Sequence, residues 1–204
     1  MTRILLLAAA LAAGFAHAQE LTPPDVLVKQ VTLEVVELIA KDKEIRGGNR
    51  AKLIGLINDK VLPHFNFVSM AALAMGQSWN KATPDQKKRV TEEFRTLLVR
   101  TYASALASYS DQKFDFRPLR AKANDTDVTV NVRVLQPGTQ PVPIDYSMEK
   151  TSSDWKVYDV MVGGVSLVAN YRTEFNNLVR ESGVDGLIKN LSAKNRALEG
   201  ADRK

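Results

Sequence analysis

The sequence predicts an α+β fold, a curved antiparallel sheet of four strands or slightly more packed with about six or seven helices. Three observations predict it. Apolar residues recur at helical spacing up to about residue 110, the period drops to two between 112 and 162, and the helical period returns from 164 to about 195. Helical and strand blocks are thus segregated rather than alternating, which separates this chain from the wound parallel sheets. The links between strands are short, so consecutive strands pair as a meander with one buried and one wet face.

Taken in order, the 204-residue chain opens on what reads as a secretory leader. Arg3 is a basic start, Ile4 to Phe15 an apolar run, and Ala16-His17-Ala18 a small-x-small cleavage site. The run is too short for a permanent membrane span. The mature chain is expected to be Gln19 to Lys204, one domain with helical parts at 19–110 and 164–195 and a sheet at 112–162. Thr22-Pro23-Pro24-Asp25 starts a helix, with Thr22 as its cap and proline in the first turn. Val28, Val31, Val35 and Leu38 follow at helical spacing. Gly47-Gly48 breaks the chain, and Asn49 caps a helix that presents Leu53, Ile54, Ile57 and Val61 and stops at Pro63.

Val61 to Asn80 carries no formal charge and reads as a short buried helix, Val68 to Met75, with Phe65, Phe67 and Trp79 as packing anchors beside it. Thr83-Pro84-Asp85-Gln86 is a capping box. The helix it opens runs to about Tyr109, striped by Phe94, Leu97, Leu98, Tyr102, Leu106 and Tyr109. Strands follow in which Phe114 and Phe116, then Val128 to Val134, then Ile144, Tyr146 and Met148 alternate with polar residues, and Trp155 to Val160 completes the set. Beyond Gly163-Gly164, Ser166 is a cap, Leu167, Tyr171, Phe175 and Leu178 form a stripe, and Gly183 fits a helix end. A last helix holds Leu187, Ile188 and Leu191, and the polar tail from Asn195 is expected to fray.

Composition excludes several functions. The chain has no cysteine and two histidines, of which the leader removes His17. Disulfides, acyl anchors on cysteine, thiolate metal sites and zinc sites built on several histidines are excluded. The formal charge of +5 invites a nucleic-acid reading, but Lys87-Lys88-Arg89 is the only basic cluster and no basic stripe is interleaved with stacking aromatics. There is no G-x-S-x-G elbow, no H-E-x-x-H and no phosphate-binding glycine loop. Asp145 and Asp159 sit among apolar strand residues and are candidates for perturbed carboxylates. The plainer expectation points Asp145 to solvent and holds Asp159 with backbone donors. His64, between Pro63 and Phe65, reads as a packing histidine. What remains in excess is two facing sets of bulky apolar side chains, one on the 84–109 helix and one on the sheet. Periodicity alone does not separate a filled core from a cavity between them.

Several motifs, in this order, carry a family likeness. They are Pro63-His64-Phe65-x-Phe67 leading through Ala74-Met75-Gly76-x-x-Trp79, then Pro84-x-Gln86 with Phe94, Leu97-Leu98 and Tyr102. Trp155-x-Val157-Tyr158-Asp159-Val160, Gly164-Val165-Ser166-Leu167, Asn170-Tyr171-Arg172-x-x-Phe175 and Gly183-Val184-Asp185-Gly186-Leu187 follow. With them the mature chain resembles the MlaC-type periplasmic phospholipid-binding proteins, the toluene-tolerance auxiliary proteins of an ABC lipid transporter. Asn66 departs from the resemblance, standing where the family commonly has an aspartate. The resemblance implies a sheet akin to nuclear-transport-factor-2-like cones and an apolar pocket for phospholipid acyl chains. It also implies a periplasmic, monomeric shuttle that serves outer-membrane lipid asymmetry, working between an outer-membrane lipoprotein–porin complex and the substrate-binding subunit of an inner-membrane ABC transporter. Phospholipid is then cargo, with no cofactor, no metal and no nucleic-acid partner. Leu98, Tyr102, Leu106, Tyr109, Val130, Val132, Tyr146, Met148, Val157 and Val165 are the expected lipid-binding residues. A lipid-acting enzyme on a similar cone, using Asp145 or Asp159, and an adaptor with a filled core remain the alternatives.

Overall fold

The computed structural model describes residues 21–108, 112–122 and 124–202, with backbone alone at 106–108 and 201–202. The expected leader, Met1 to Ala18, lies outside the described residues. Helix α1 (Pro24–Lys41) starts at its second proline. Thr22 does not cap it: Pro23 occupies the cap position, and its carbonyl accepts from Leu27 N at 2.9 Å. Asp42 ends α1 and caps the short α2 (Lys43–Arg46), accepting from Glu44 N and Ile45 N. Asn49 caps α3 (Arg50–Lys60) through Lys52 N at 3.0 Å, and Asn66 caps α4 (Phe67–Met75) through Ser69 N. After α5 (Ser78–Lys81), the capping box opens α6 (Pro84–Ser108): Thr83 N donates to Gln86 Oε1 and Gln86 N to Thr83 Oγ1.

The sheet is a five-stranded antiparallel meander in sequence order. Its strands are β1 (Lys113–Phe116), β2 (Asp127–Leu135), β3 (Val142–Lys150), β4 (Trp155–Val162) and a two-residue β5 (Val165–Ser166). On β2, Val128, Val130, Val132 and Val134 are buried and their neighbours exposed. On β4 the alternation breaks. The register steps between Ser147, paired with Asp159, and Met148, paired with Val157, leaving Tyr158 as the extra residue of a bulge. The bulge re-phases the strand, so Val157 and Val160 are both buried although three residues apart.

Helix α7 (Arg172–Asp202) is bent at Gly183, whose φ of +69° only glycine adopts readily. The chain therefore turns at Gly183, as expected of a helix end, and then continues in helix. From Asn195 to Asp202 the tail is helical, where fraying was expected. Asn195 continues the buried face of Leu187, Ile188 and Leu191, and its Nδ2 donates to the Glu93 carbonyl at 2.9 Å and Glu93 Oε2 at 2.7 Å. The polar composition of the tail concealed this contact with α6. Asn195→Ala is expected to lower the unfolding free energy by about 1–3 kcal/mol, measured by urea denaturation.

Three apolar clusters hold these elements together. In the first, α4, α6 and α7 share Met75, Phe94, Phe175, Leu187 and Leu191. In the second, the start of α1 covers the inner face of the sheet at Leu27, Val28, Val130, Val132 and Met148. In the third, α1, α2 and α3 meet α6 through Val35, Ile39, Ile45, Ile57 and Ala103. Among the described residues no helix is long and apolar enough to cross a membrane.

Candidate functional site

A cavity of about 410 Å³ lies where the three clusters meet. Helix α1 contributes Val28, Val31, Thr32, Val35, Val36 and Ile39 to its wall. The C-terminal half of α6 contributes Leu98, Val99, Tyr102, Ala103 and Ala105, and the sheet Ile144, Tyr146, Met148, Val157, Val160 and Val162. The turn between α3 and α4 closes it with Leu62, His64, Phe65 and Phe67. Only Thr32, His64, Tyr102 and Tyr146 among the lining side chains carry a nitrogen or oxygen, and none carries a formal charge except by protonation of His64.

The local sequence explains why this space is not filled. Helix α6 packs Val90, Phe94 and Leu97 into the helical cluster, whereas toward its C-terminus it faces the cavity with Val99, Ala103 and Ala105 beside Leu98 and Tyr102, and α1 faces it mainly with valines. The two helices share the third cluster through Val35, Ile39 and Ala103, and beyond it their short side chains leave space toward the sheet. The closing turn is tied to β4: Asn66 N donates to the Val157 carbonyl and Lys156 Nζ to the Pro63 carbonyl, each at 2.8 Å. Because of the bulge, both halves of β4 present valine to the cavity.

Comparison with known proteins assigns the chain to a family. The profile of the MlaC protein family matches residues 29–193. The chain belongs to this family. Among its relatives, "Intermembrane phospholipid transport system binding protein MlaC" of Haemophilus influenzae is 24% identical over 170 residues, 82% of this chain and 79% of that one. The "Toluene tolerance protein ttg2D" of Pseudomonas putida is 28% identical over 166 residues, 80% of this chain and 76% of that one. A solved structure, the phospholipid-binding protein from Ralstonia solanacearum in complex with a phospholipid, superposes with a TM-score of 0.81 at 37% identity, covering 87% of this chain and 99% of that chain.

Of the ten residues expected from this MlaC-type likeness, the cavity brings together Leu98, Tyr102, Tyr146, Met148 and Val157. Val130 and Val132 are buried on the same inner face, but they sit beneath the start of α1 and do not line the cavity. Val165 is 59% exposed on β5 and does not line the cavity. Tyr109 and the side chain of Leu106 lie outside the described residues. The α1 valines and the Leu62–Phe67 turn were missed. The charge-free stretch from Val61 was the signal for the turn, and the run of valines at helical spacing was the signal for α1.

Asn66, where an MlaC-type aspartate was expected, has a donor's role as well as a cap's. Its Nδ2 donates to Glu149 Oε1 at 2.6 Å, which an aspartate beside Glu149 would not do. Asp159 is held as expected, accepting from Val160 N, Val168 N and Ser166 Oγ, so it fastens β4 to the start of the last helical segment. Asp145 alternates with the cavity-lining Ile144 and Tyr146, and accepts from Asn131 Nδ2 on the outer face.

Burial pushes the pKa of Tyr102 above its ordinary value, assisted by its hydrogen-bonded neighbour Tyr171, so this cavity hydroxyl stays neutral. Burial pushes His64 the other way, below its ordinary value; Lys156 acts in the same sense, and Asp154 and Glu34 oppose it. The unfolded chain takes up this proton near pH ~6.5, the folded chain only at lower pH. The contribution of His64 to stability is therefore intact above that value and lost as pH falls through the lowered folded pKa. Between pH 7.5 and 5.0 the native protein is expected to lose more unfolding free energy than His64→Gln, as measured by denaturant titration at each pH.

Proposed function

We propose that this protein is a phospholipid carrier that encloses acyl chain in the cavity and leaves the head group toward solvent. The observation that carries this reading is a cavity of about 410 Å³ walled almost wholly by hydrocarbon. Burial of one methylene contributes about 0.8 kcal/mol, so eight of them contribute ~6 kcal/mol before the cost of ordering the chain. Leu98, Tyr102, Tyr146, Met148 and Val157, with Val31, Val35 and Val36 of α1, are the proposed acyl contacts. Met148 adapts its shape to variable chains, and the tyrosines offer an apolar ring with a polar tip. The phospholipid in the Ralstonia solanacearum relative and the name of the Haemophilus influenzae relative support this reading.

On this reading the leader exports the chain to the periplasm, where it works as a monomer without chemistry of its own. It passes lipid between an outer-membrane lipoprotein–porin complex and the substrate-binding subunit of an inner-membrane ABC transporter. The hydrogen bonds that occupy Asp159 and the outward position of Asp145 favour a carrier over an enzyme. Organic extraction of freshly purified protein followed by mass spectrometry is the test, and about one phospholipid per protein is expected. Accumulation of lysolipid over time would point to a hydrolase. Protein that is stable but lipid-free, even after incubation with liposomes, would end the carrier reading.

A further inference from the structure

Helix α4 is apolar on both sides, and only one of them is covered. Met70, Ala71, Ala74 and Met75 are in the core, while Val68 is 56% and Leu73 41% exposed. Singly exposed apolar residues are ordinary on a protein surface, so Leu73 matters here for the cleft that it borders. Ala72, Leu73 and Trp79 form one wall of a surface cleft whose other wall is the outer face of the sheet at Asp127, Glu149 and Tyr158, with Arg172 beside them.

The charges in this cleft are unmatched. Asp127 and Glu149 are direct cross-strand partners, a like-charge pairing that costs stability. Asp127 Oδ1 accepts from the Tyr158 hydroxyl at 3.1 Å, and Glu149 Oε1 accepts from Asn66 Nδ2 and Ser69 Oγ at 2.6 Å each. Neither carboxylate forms an ion pair among the described residues. Lys156 stands opposite Glu149 on β4, but its ammonium goes to the Pro63 carbonyl and Asp154 instead. The Arg172 guanidinium makes no hydrogen bond or ion pair among the described residues, and it lies over Gly76, 3.6 Å from where a Cβ would stand. Burial and the Asp127 carboxylate push the Tyr158 pKa up to about 12, so its hydroxyl remains a donor.

We propose that this cleft docks a protein partner that brings an aliphatic side chain to Leu73 and Trp79, a lysine or arginine to the Asp127–Glu149 pair, and a carboxylate to Arg172. An anionic membrane is the poorer fit, because Asp127 and Glu149 repel it. Glu149 and Tyr158 alternate with Met148 and Val157 of the cavity wall, so the cleft lies on the opposite face of the sheet. A partner bound there leaves the cavity wall uncovered. The proposal rests on the carrier reading, which supplies the partners to be tried: the membrane complexes at either end of the transfer.

The test compares native protein with Leu73→Asp and Asp127→Lys, with Arg172→Glu replacing the second should it lower the melting temperature. Each is measured by biolayer interferometry against the ABC transporter complex, the lipoprotein–porin complex, and vesicles of phosphatidylethanolamine and phosphatidylglycerol. Native protein is expected to bind at least one complex, and each variant to bind it at least tenfold more weakly, with unchanged lipid content and melting temperature. Variant affinities within twofold of native for both complexes overturn the proposal. So does failure of native protein to bind either complex, or a loss of binding confined to vesicles. Absence of lipid from the native protein overturns the carrier reading instead, and leaves the docking comparison standing.

Discussion

Val31→Trp is expected to fold and to carry less than a tenth of the lipid found in native protein. Val31 is half-buried on the α1 face that looks across the cavity at Val99 and Tyr102. An indole there takes space that an acyl chain needs, and its overpacking cost of about 1–3 kcal/mol is moderated by the room in front of it. Val26, on the exposed side of α1, is the control: Val26→Trp should retain native lipid. Both variants are assayed by extraction and mass spectrometry alongside thermal melts. Native lipid in folded Val31→Trp would show that acyl chain does not run along α1.

Phe94→Ala is expected to cause the largest loss of stability. Phe94 and Phe175 are fully buried with ring centroids 5.0 Å apart at 70°, and Tyr171 meets the same ring edge-on at 5.1 Å. Truncation removes the anchor joining α6 to α7 and should cost about 3–5 kcal/mol. For a domain of this size that lowers the melting temperature by roughly 6–20 °C. Phe94 does not line the cavity, so lipid content below the transition should stay native. A shift of only a degree or two would mean that α6 and α7 are not held together by this aromatic contact.

What could be read from the sequence follows from what each pattern depends on. The Thr83–Gln86 box and the valine alternation of β2 depend on near neighbours alone, and both are present as expected. The bulge at Tyr158 is a property of two strands in register, so a single strand pattern hides it. Asn195 looked like part of a polar tail because its value lies in Glu93, which is distant in sequence. The cavity was the hardest feature to read. Filled and hollow interiors share the same periodicity and differ only in whether side chains such as Val31, Val36 and Ala105 are long enough to fill the space between the helices and the sheet. That depends on the distance between helices, which the sequence pattern does not encode, so α1 was left out of the expected wall while five residues of α6 and the sheet were placed on it.

The position of the cavity at the junction of three clusters has a mechanical consequence. Each cluster is close-packed and resists deformation, but the cavity is bounded by all three: Met70 and Leu98 come from the first, Met148 and Val160 from the second, and Ile39 and Ile57 from the third. Its volume can therefore change by small rigid displacements of one cluster against another, in the manner of shear between packed helices, while every buried side chain keeps its neighbours. Such a displacement adjusts the girth of the cavity and leaves the packing of each wall intact.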